Sequence, residues 1–241
     1  MAVLEASSLN VRFGATLAVA DVDLGVDAGQ IVGLIGPNGA GKTTTFNAVS
    51  GVQRCTGSVR LDGIDISTAS PHRRVRLGMS RTFQRLELFG SMTAGDNILT
   101  AGEITARSRD RSHRSVVRHR DELLDLLGLA DVAHQPAETL PTGRARLVEV
   151  GRALATDPKV VLLDEPASGL DEVETRHLAA VLERVGESGV AILMVEHDLD
   201  LVMQLCSQIY VMSLGSVIAC GSPDEVRADE RVQAAYIGGS V

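Results

Sequence analysis

The octet Gly36-Pro37-Asn38-Gly39-Ala40-Gly41-Lys42-Thr43 constrains this chain more than any other stretch. It satisfies the GxxxxGK[ST] pattern, follows an apolar segment at residues 30–35 that reads as a buried strand, and precedes a helix expected over residues 42–50 that ends near Gly51. A strand, a glycine-rich turn and a helix in that order direct backbone N–H groups toward β- and γ-phosphate, and the helix N-terminus adds partial positive charge. Lys42 supplies a point charge and Thr43 a hydroxyl ligand for Mg2+. The expected nucleotide-binding set is Gly36, Pro37, Asn38, Gly39, Ala40, Gly41, Lys42, Thr43 and Thr44.

The rest of the chain has the rhythm of an α/β protein. The first third reads as short strands separated by turns, with a hairpin at residues 58–66 around Asp62-Gly63. From about 95 to 140 the apolar spacing becomes helical (Val116, Val117, Leu123, Leu124, Leu126, Leu127), which predicts a separate helical lobe. Alternation then resumes: a strand at 159–163, a helix around 173–185, a strand at 190–195 and a hairpin of 209–213 with 216–220. That order implies an α/β core with a parallel sheet. No internal repeat marks a second copy of the pattern.

The strand Val160-Val161-Leu162-Leu163 ends in Asp164-Glu165, which puts two carboxylates at the carboxyl edge of the sheet, where ligands of α/β proteins bind. Asp164 is expected to hold Mg2+, directly or through water, and Glu165 to orient and polarise the attacking water as general base. An Asp-Glu pair after a strand is commonplace alone; the phosphate loop gives this one its meaning. His197, within Glu196-His197-Asp198, follows another apolar strand and is placed to reach the same edge and hydrogen-bond the γ-phosphate. A lone histidine is ordinarily structural, and position is what favours function here.

Composition excludes several classes. The longest apolar runs are strand-length, far short of the ~20 residues that cross a bilayer, and residues 1–10 lack a basic flank followed by an apolar stretch, so a cytoplasmic chain is expected. A net charge of −8 repels a phosphate backbone, and no nucleic-acid partner is expected. Cys55, Cys206 and Cys220 are odd in number and widely spaced, unlike a disulfide framework or zinc cluster. One basic span stands out: Arg107, Arg109, Arg111, Arg114, Arg118 and Arg120 with His113 and His119. It reads as a solvated face or as a contact for anionic headgroups or an acidic partner loop.

These pieces in this order, with Gln84 in Arg81-Thr82-Phe83-Gln84 and with Ser168-Gly169-Leu170-Asp171 after the second carboxylate, resemble an ABC transporter nucleotide-binding domain over nearly the whole chain. The resemblance implies a single domain over 1–241. Its phosphate-loop NTPase core with parallel sheet (about 1–94 and 141–241) carries an antiparallel β subdomain and an inserted helical subdomain at about 95–140. It implies ATP and Mg2+ as cofactors and ATP hydrolysis as the activity. Gln84 would lie at the joint between core and helical lobe, sensing Mg2+ and contacting the membrane partner. Asp171 would meet the opposing subunit, and Phe13 would stack on adenine, although a strand phenylalanine is ordinarily core. The partners implied are transmembrane permeases, a second ATPase subunit and, indirectly, a solute-binding protein. The location implied is the cytoplasmic face of the membrane. Residues 81–97, with Leu88-Phe89, and the tail from Gly221-Ser222-Pro223-Asp224-Glu225-Val226 to Ala235-Tyr236-Ile237-Gly238 look most like ATPases of branched-chain amino-acid importers. Urea and amide importers are similar here, exporters remain open, and the chain itself is not expected to bind the solute.

One segment departs from the family pattern. Where members carry a Leu-Ser-x-Gly-Gln signature that reaches the partner's γ-phosphate, this chain has Leu140-Pro141-Thr142-Gly143-Arg144. Proline has neither hydroxyl nor N–H to donate. Losing one charge-assisted donor costs roughly 1.5–3 kcal/mol, about one to two decades at the composite site. The expectation is an asymmetric dimer in which a different ATPase subunit supplies an intact signature. The alternatives are a tolerated signature variant in a homodimer and a weakly active regulatory subunit, against which Glu165 argues.

Overall fold

The computed structural model describes residues 2–107 and 110–237; Arg109 of the basic span and Gly238 of the C-terminal run lie outside the described residues. In chain order the strands are β1 (Ala2–Phe13), β2 (Thr16–Asp27), β3 (Ile31–Ile35), β4 (Thr56–Leu61), β5 (Ile64–Asp65), β6 (Met79–Arg81), β7 (Val160–Asp164), β8 (Ala191–Val195), β9 (Gln208–Ser213) and β10 (Ser216–Gly221). The helices are α1 (Lys42–Val49), α2 (Pro71–Leu77), α3 (Ala94–Ala106), α4 (His113–Leu126), α5 (Thr142–Leu154), α6 (Glu172–Glu187), α7 (Leu199–Leu205), α8 (Pro223–Ala228) and α9 (Glu230–Ile237).

Two sheets form. One is antiparallel, in the order β2-β1-β4-β5; the other runs β10-β9-β3-β8-β7-β6, parallel from β9 to β6 with β10 antiparallel at its edge. β3, β7 and β8 are buried at every residue, because both faces of this sheet are covered. Their side chains alternate between two cores with the period of a strand. Val32, Leu34, Val160, Leu162, Leu193 and Val195 face the antiparallel sheet and Phe46 of α1. Ile35, Val161, Leu163, Ile192 and Met194 face the helices, meeting Ile98, Leu127, Val148 and Leu182. α3 packs on both α4 and α5.

The antiparallel sheet corrects one expectation. The first third holds two strands of 12 residues each rather than a run of short ones. Ser8 and Asp21 adopt positive φ (49° each), and the β1–β2 register shifts between Ala6 and Leu9. Such bulges break the period-2 pattern, so continuous strands read as strand-turn-strand.

Much of the described basic span is paired with carboxylates outside it. Arg111 and His119 engage Asp157, His113 engages Glu103, Arg118 engages Glu122 and Arg120 engages Asp121.

Arg74 shows how the phosphate-loop helix is anchored at its far end. Although it sits in a run of basic residues, it is 2% exposed. Its guanidinium donates to Ala48 O and Val49 O at the end of α1 and to Ser67 O (3.0 Å) and Ala69 O (3.1 Å). It thereby satisfies terminal helix carbonyls that have no partner within the helix. Arg74→Met is expected to lower unfolding free energy by about 3 kcal/mol, because those buried acceptors lose their donor. Urea denaturation checks this.

Candidate functional site

Four neighbouring parallel strands end on one edge, in the spatial order β3, β8, β7, β6. The segments that leave them carry, in turn, the glycine-rich loop, His197, Asp164-Glu165 and Gln84. Residues far apart in the sequence are thus delivered to one cleft of about 710 Å³, lined by Asn38 to Thr44, Gln84, Glu165 and His197.

The glycine-rich loop is compressed between its neighbours. A Cβ on Gly36 (φ +147°) would stand 2.1 Å from Met212 O, and one on Gly41 (φ +103°) 2.9 Å from Ala18 O. Only glycine fits either position. Gly41 is the N-cap of α1 and no side chain caps that end, so the first-turn N–H groups open toward the cleft. Lys42, 6% exposed, curls back so that Nζ donates to Gly36 O (2.6 Å) and Pro37 O (3.1 Å). Burial pushes its ammonium below the ordinary lysine range, and the nearby Glu165 charge opposes that shift. A fixed ammonium beside open N–H groups suits a polyphosphate.

Across the cleft, Glu165 is held from both sides. Gln84 Nε2 donates to Glu165 Oε2 (2.8 Å), and His197 Nε2 lies 2.9 Å from Glu165 Oε1. The backbone of Glu165 is left-handed (φ +50°), a conformation unusual for a non-glycine residue, with its N–H donating to Val195 O (2.9 Å). Glu196 supports this turn: it is buried and accepts from Ala167 N (2.7 Å) and His197 N (3.0 Å). Burial raises the Glu196 carboxyl above the usual carboxylate range, and these two amides pull it back.

Asp164 lies behind this layer and does not line the cleft. Its Oδ2 accepts from Arg81 Nη2 (2.7 Å), and the two side chains are 5% and 8% exposed. Arg81 also donates to Asn47 Oδ1 (2.6 Å) and Ser50 Oγ (2.9 Å), lying between the rings of Phe46 and Phe83. Sequence reasoning missed this partner; its signal was adjacency, three residues before Gln84. It also missed Leu17, Ala18, Leu214 and Gly215, which line the cleft mouth. Gly215 N bonds to Ala40 O (2.9 Å), tying that turn to the phosphate loop.

Phe13 is 53% exposed at the end of β1, paired with Thr16, and lies outside the lining of the cleft. The 140–144 segment lies elsewhere. Pro141 is the N-cap of α5 and makes no side-chain cap bond. The first turn of α5 packs on α6, where a Cβ on Gly143 would fall 2.3 Å from Glu174 Oε1. Asp171 is the N-cap of α6; Oδ1 accepts from Val173 N and Glu174 N (2.8 Å each), and Glu174 completes a capping box.

Thr43 Oγ, Gln84 and Glu165 supply oxygen donors to one cleft, which is what a hard cation such as Mg2+ prefers, and Asp164 stands one residue behind them. Lys42→Met is expected to weaken ATP binding roughly 10- to 100-fold, the loss of a charge-assisted contact to phosphate. Titration calorimetry on folded protein measures it.

Comparison with known proteins identifies the family. Residues 19–168 match the family described as ABC transporter, and residues 216–241 match the branched-chain amino acid ATP-binding cassette transporter family. The chain is 39% identical to the high-affinity branched-chain amino acid transport ATP-binding protein BraF of Pseudomonas aeruginosa, over 98% of both chains. It is 36% identical to the lipopolysaccharide export system ATP-binding protein LptB of Escherichia coli, over 99% of this chain and 98% of that one. A crystallised ATP-binding cassette of an ABC transporter in its ADP conformation superposes with a TM-score of 0.89 at 30% identity, covering 99% of each chain.

Proposed function

Because this chain belongs to the ABC transporter family as an ATP-binding subunit that hydrolyses ATP to drive transport through transmembrane permease components, we propose that it energises an importer of branched-chain or similar amino acids. The match of residues 216–241 to the branched-chain family and the similarity to BraF support this solute class. An exporter is the second reading, favoured by the comparable similarity to LptB. None of the helices among the described residues is long and apolar enough to cross a membrane. We place the subunit on the cytoplasmic face, docked on its permeases through the region around Gln84 and the helices of residues 95–140. Deleting its gene should abolish high-affinity uptake of radiolabelled leucine, isoleucine and valine; unchanged uptake would overturn the branched-chain assignment.

The observation that carries the catalytic reading is Glu165, aimed into the cleft opposite Lys42 and held by two groups that fix both carboxylate oxygens. In the reading proposed here, the loop N–H groups and Lys42 hold the triphosphate. Glu165 accepts a proton from water while His197 and Gln84 keep its carboxylate aimed. Mg2+, when bound, neutralises developing phosphate charge, and Thr43, Gln84 and Asp164 are the residues that would hold it. Arg81 takes one of the Asp164 oxygens through the 2.7 Å contact of Nη2 with Oδ2. Phe13, exposed and paired with Thr16 of the cleft lining, is the ring we assign to adenine.

The site is completed by a second subunit, and Pro141 argues that it is a different ATPase. Pro141 supplies neither the hydroxyl nor the N–H of the family's serine, so a γ-phosphate at the first turn of α5 meets at least one donor fewer. Asp171 would then stand at the subunit contact. Glu165→Gln keeps the side-chain volume and removes the base, so it should trap any ATP-sandwiched dimer. Sedimentation of that variant should show a monomer that binds Mg-ATP. A clear ATP-dependent homodimer would contradict the asymmetric arrangement.

A further inference from the structure

Residues 82–90, the segment carrying Gln84, form neither strand nor helix, so their backbone polar groups need partners from elsewhere. One face of α5 supplies them. Arg146 Nη2 donates to Gln84 O (2.8 Å) and Nη1 to Phe83 O (3.4 Å). Glu149 Oε1 accepts from Glu87 N (3.2 Å), and Arg152 donates to Glu87 O with its guanidinium 5.0 Å from the Phe89 ring. Arg146, Glu149 and Arg152 are spaced three apart, which aligns them along one side of the helix. Arg146 and Glu149 are paired at 3.2 Å with side chains 8% and 5% exposed, so this is a buried ladder and not a solvated charge row. The far end of the segment is fixed by Asn97 of α3, which accepts from Phe89 N (2.9 Å) and donates to Phe89 O (3.1 Å).

The segment is therefore bonded to the helices, while the Gln84 side chain crosses to Glu165 on the core. The same helix begins at Pro141-Thr142-Gly143-Arg144, about 15 Å from Arg152 at ~1.5 Å per residue. We propose that Arg146 and Glu149 are positioning residues that set the distance of Gln84 from the nucleotide cleft, linking α5 to the aim of the Gln84 side chain at Glu165. This rests on the reading of Gln84 as a residue that senses Mg2+.

The test compares ATP affinity of the full chain with Mg2+ and with EDTA, by titration calorimetry, in wild type, Gln84→Ala, Arg146→Met/Glu149→Gln and the combined triple variant. Removing both charges of the buried pair together leaves no isolated charge in the interior, and the amide oxygen introduced at position 149 can still accept from Glu87 N. Gln84→Ala should cut the affinity gain conferred by Mg2+ roughly five- to tenfold. Arg146→Met/Glu149→Gln should cut it to within about twofold of the same extent, with affinity in EDTA unchanged, and the triple variant should lose no more. Loss of affinity in both conditions, or a triple variant whose losses multiply, would show a general structural role and overturn the link. An intact Mg2+ gain in the pair variant beside a reduced one in Gln84→Ala would overturn the link while sparing Gln84. An intact gain in Gln84→Ala would remove the role of Gln84 and the link with it.

Discussion

The phosphate loop has no room for side chains where it passes between the two sheets. Gly36 lies against the carbonyl of Met212 in β9, and Gly41 against that of Ala18 in β2. Gly215 closes the contact by bonding Ala40 from the β9–β10 turn. Three segments distant in sequence thereby fix the loop before any ligand arrives. A preformed cradle of N–H groups loses little conformational freedom when phosphate binds, which is why a crowded loop built on glycine is worth its cost in stability. The Arg74 guanidinium holds the other end of α1, so the helix that begins in the cradle is anchored at both ends.

From that fixed loop the remaining chemistry follows by strand order. A parallel sheet brings every carboxyl end to one edge, and β8 between β3 and β7 puts His197 between the phosphate loop and Glu165. The two carboxylates at the end of β7 have different surroundings. Asp164 sits in a buried pair with Arg81, whereas Glu165 turns outward on a left-handed backbone into the cleft. Adjacent residues of the same chemical type are thus separated into an anchored charge and a presented one.

Much of this could be read from the chain alone, for physical reasons. The phosphate loop, the apolar strand ending in Asp164-Glu165 and the turn at Asp62-Gly63 are local patterns whose geometry is set by neighbours in sequence. The long β1 and β2 were harder, since bulges at Ser8 and Asp21 reset their alternation. Arg74, Arg81, Arg146 and Glu149 were invisible, because charged residues in a basic or helical run look solvent-facing, and only tertiary packing reveals that they are buried against carbonyls and carboxylates. Phe13 was singled out by resemblance and not by local pattern, and packing leaves its ring exposed.

The central claim is that this cleft receives the triphosphate in the place where Lys42 now bonds its own loop. The most direct measurement is a crystal structure of the Glu165→Gln chain grown with Mg-ATP. The account predicts phosphates within the loop of Gly36 to Thr44, Lys42 Nζ turned from the Gly36 and Pro37 carbonyls onto phosphate oxygen, and the side chain at position 165 facing the γ-phosphate. Nucleotide bound outside that loop, or Lys42 unmoved with the triphosphate present, would contradict it.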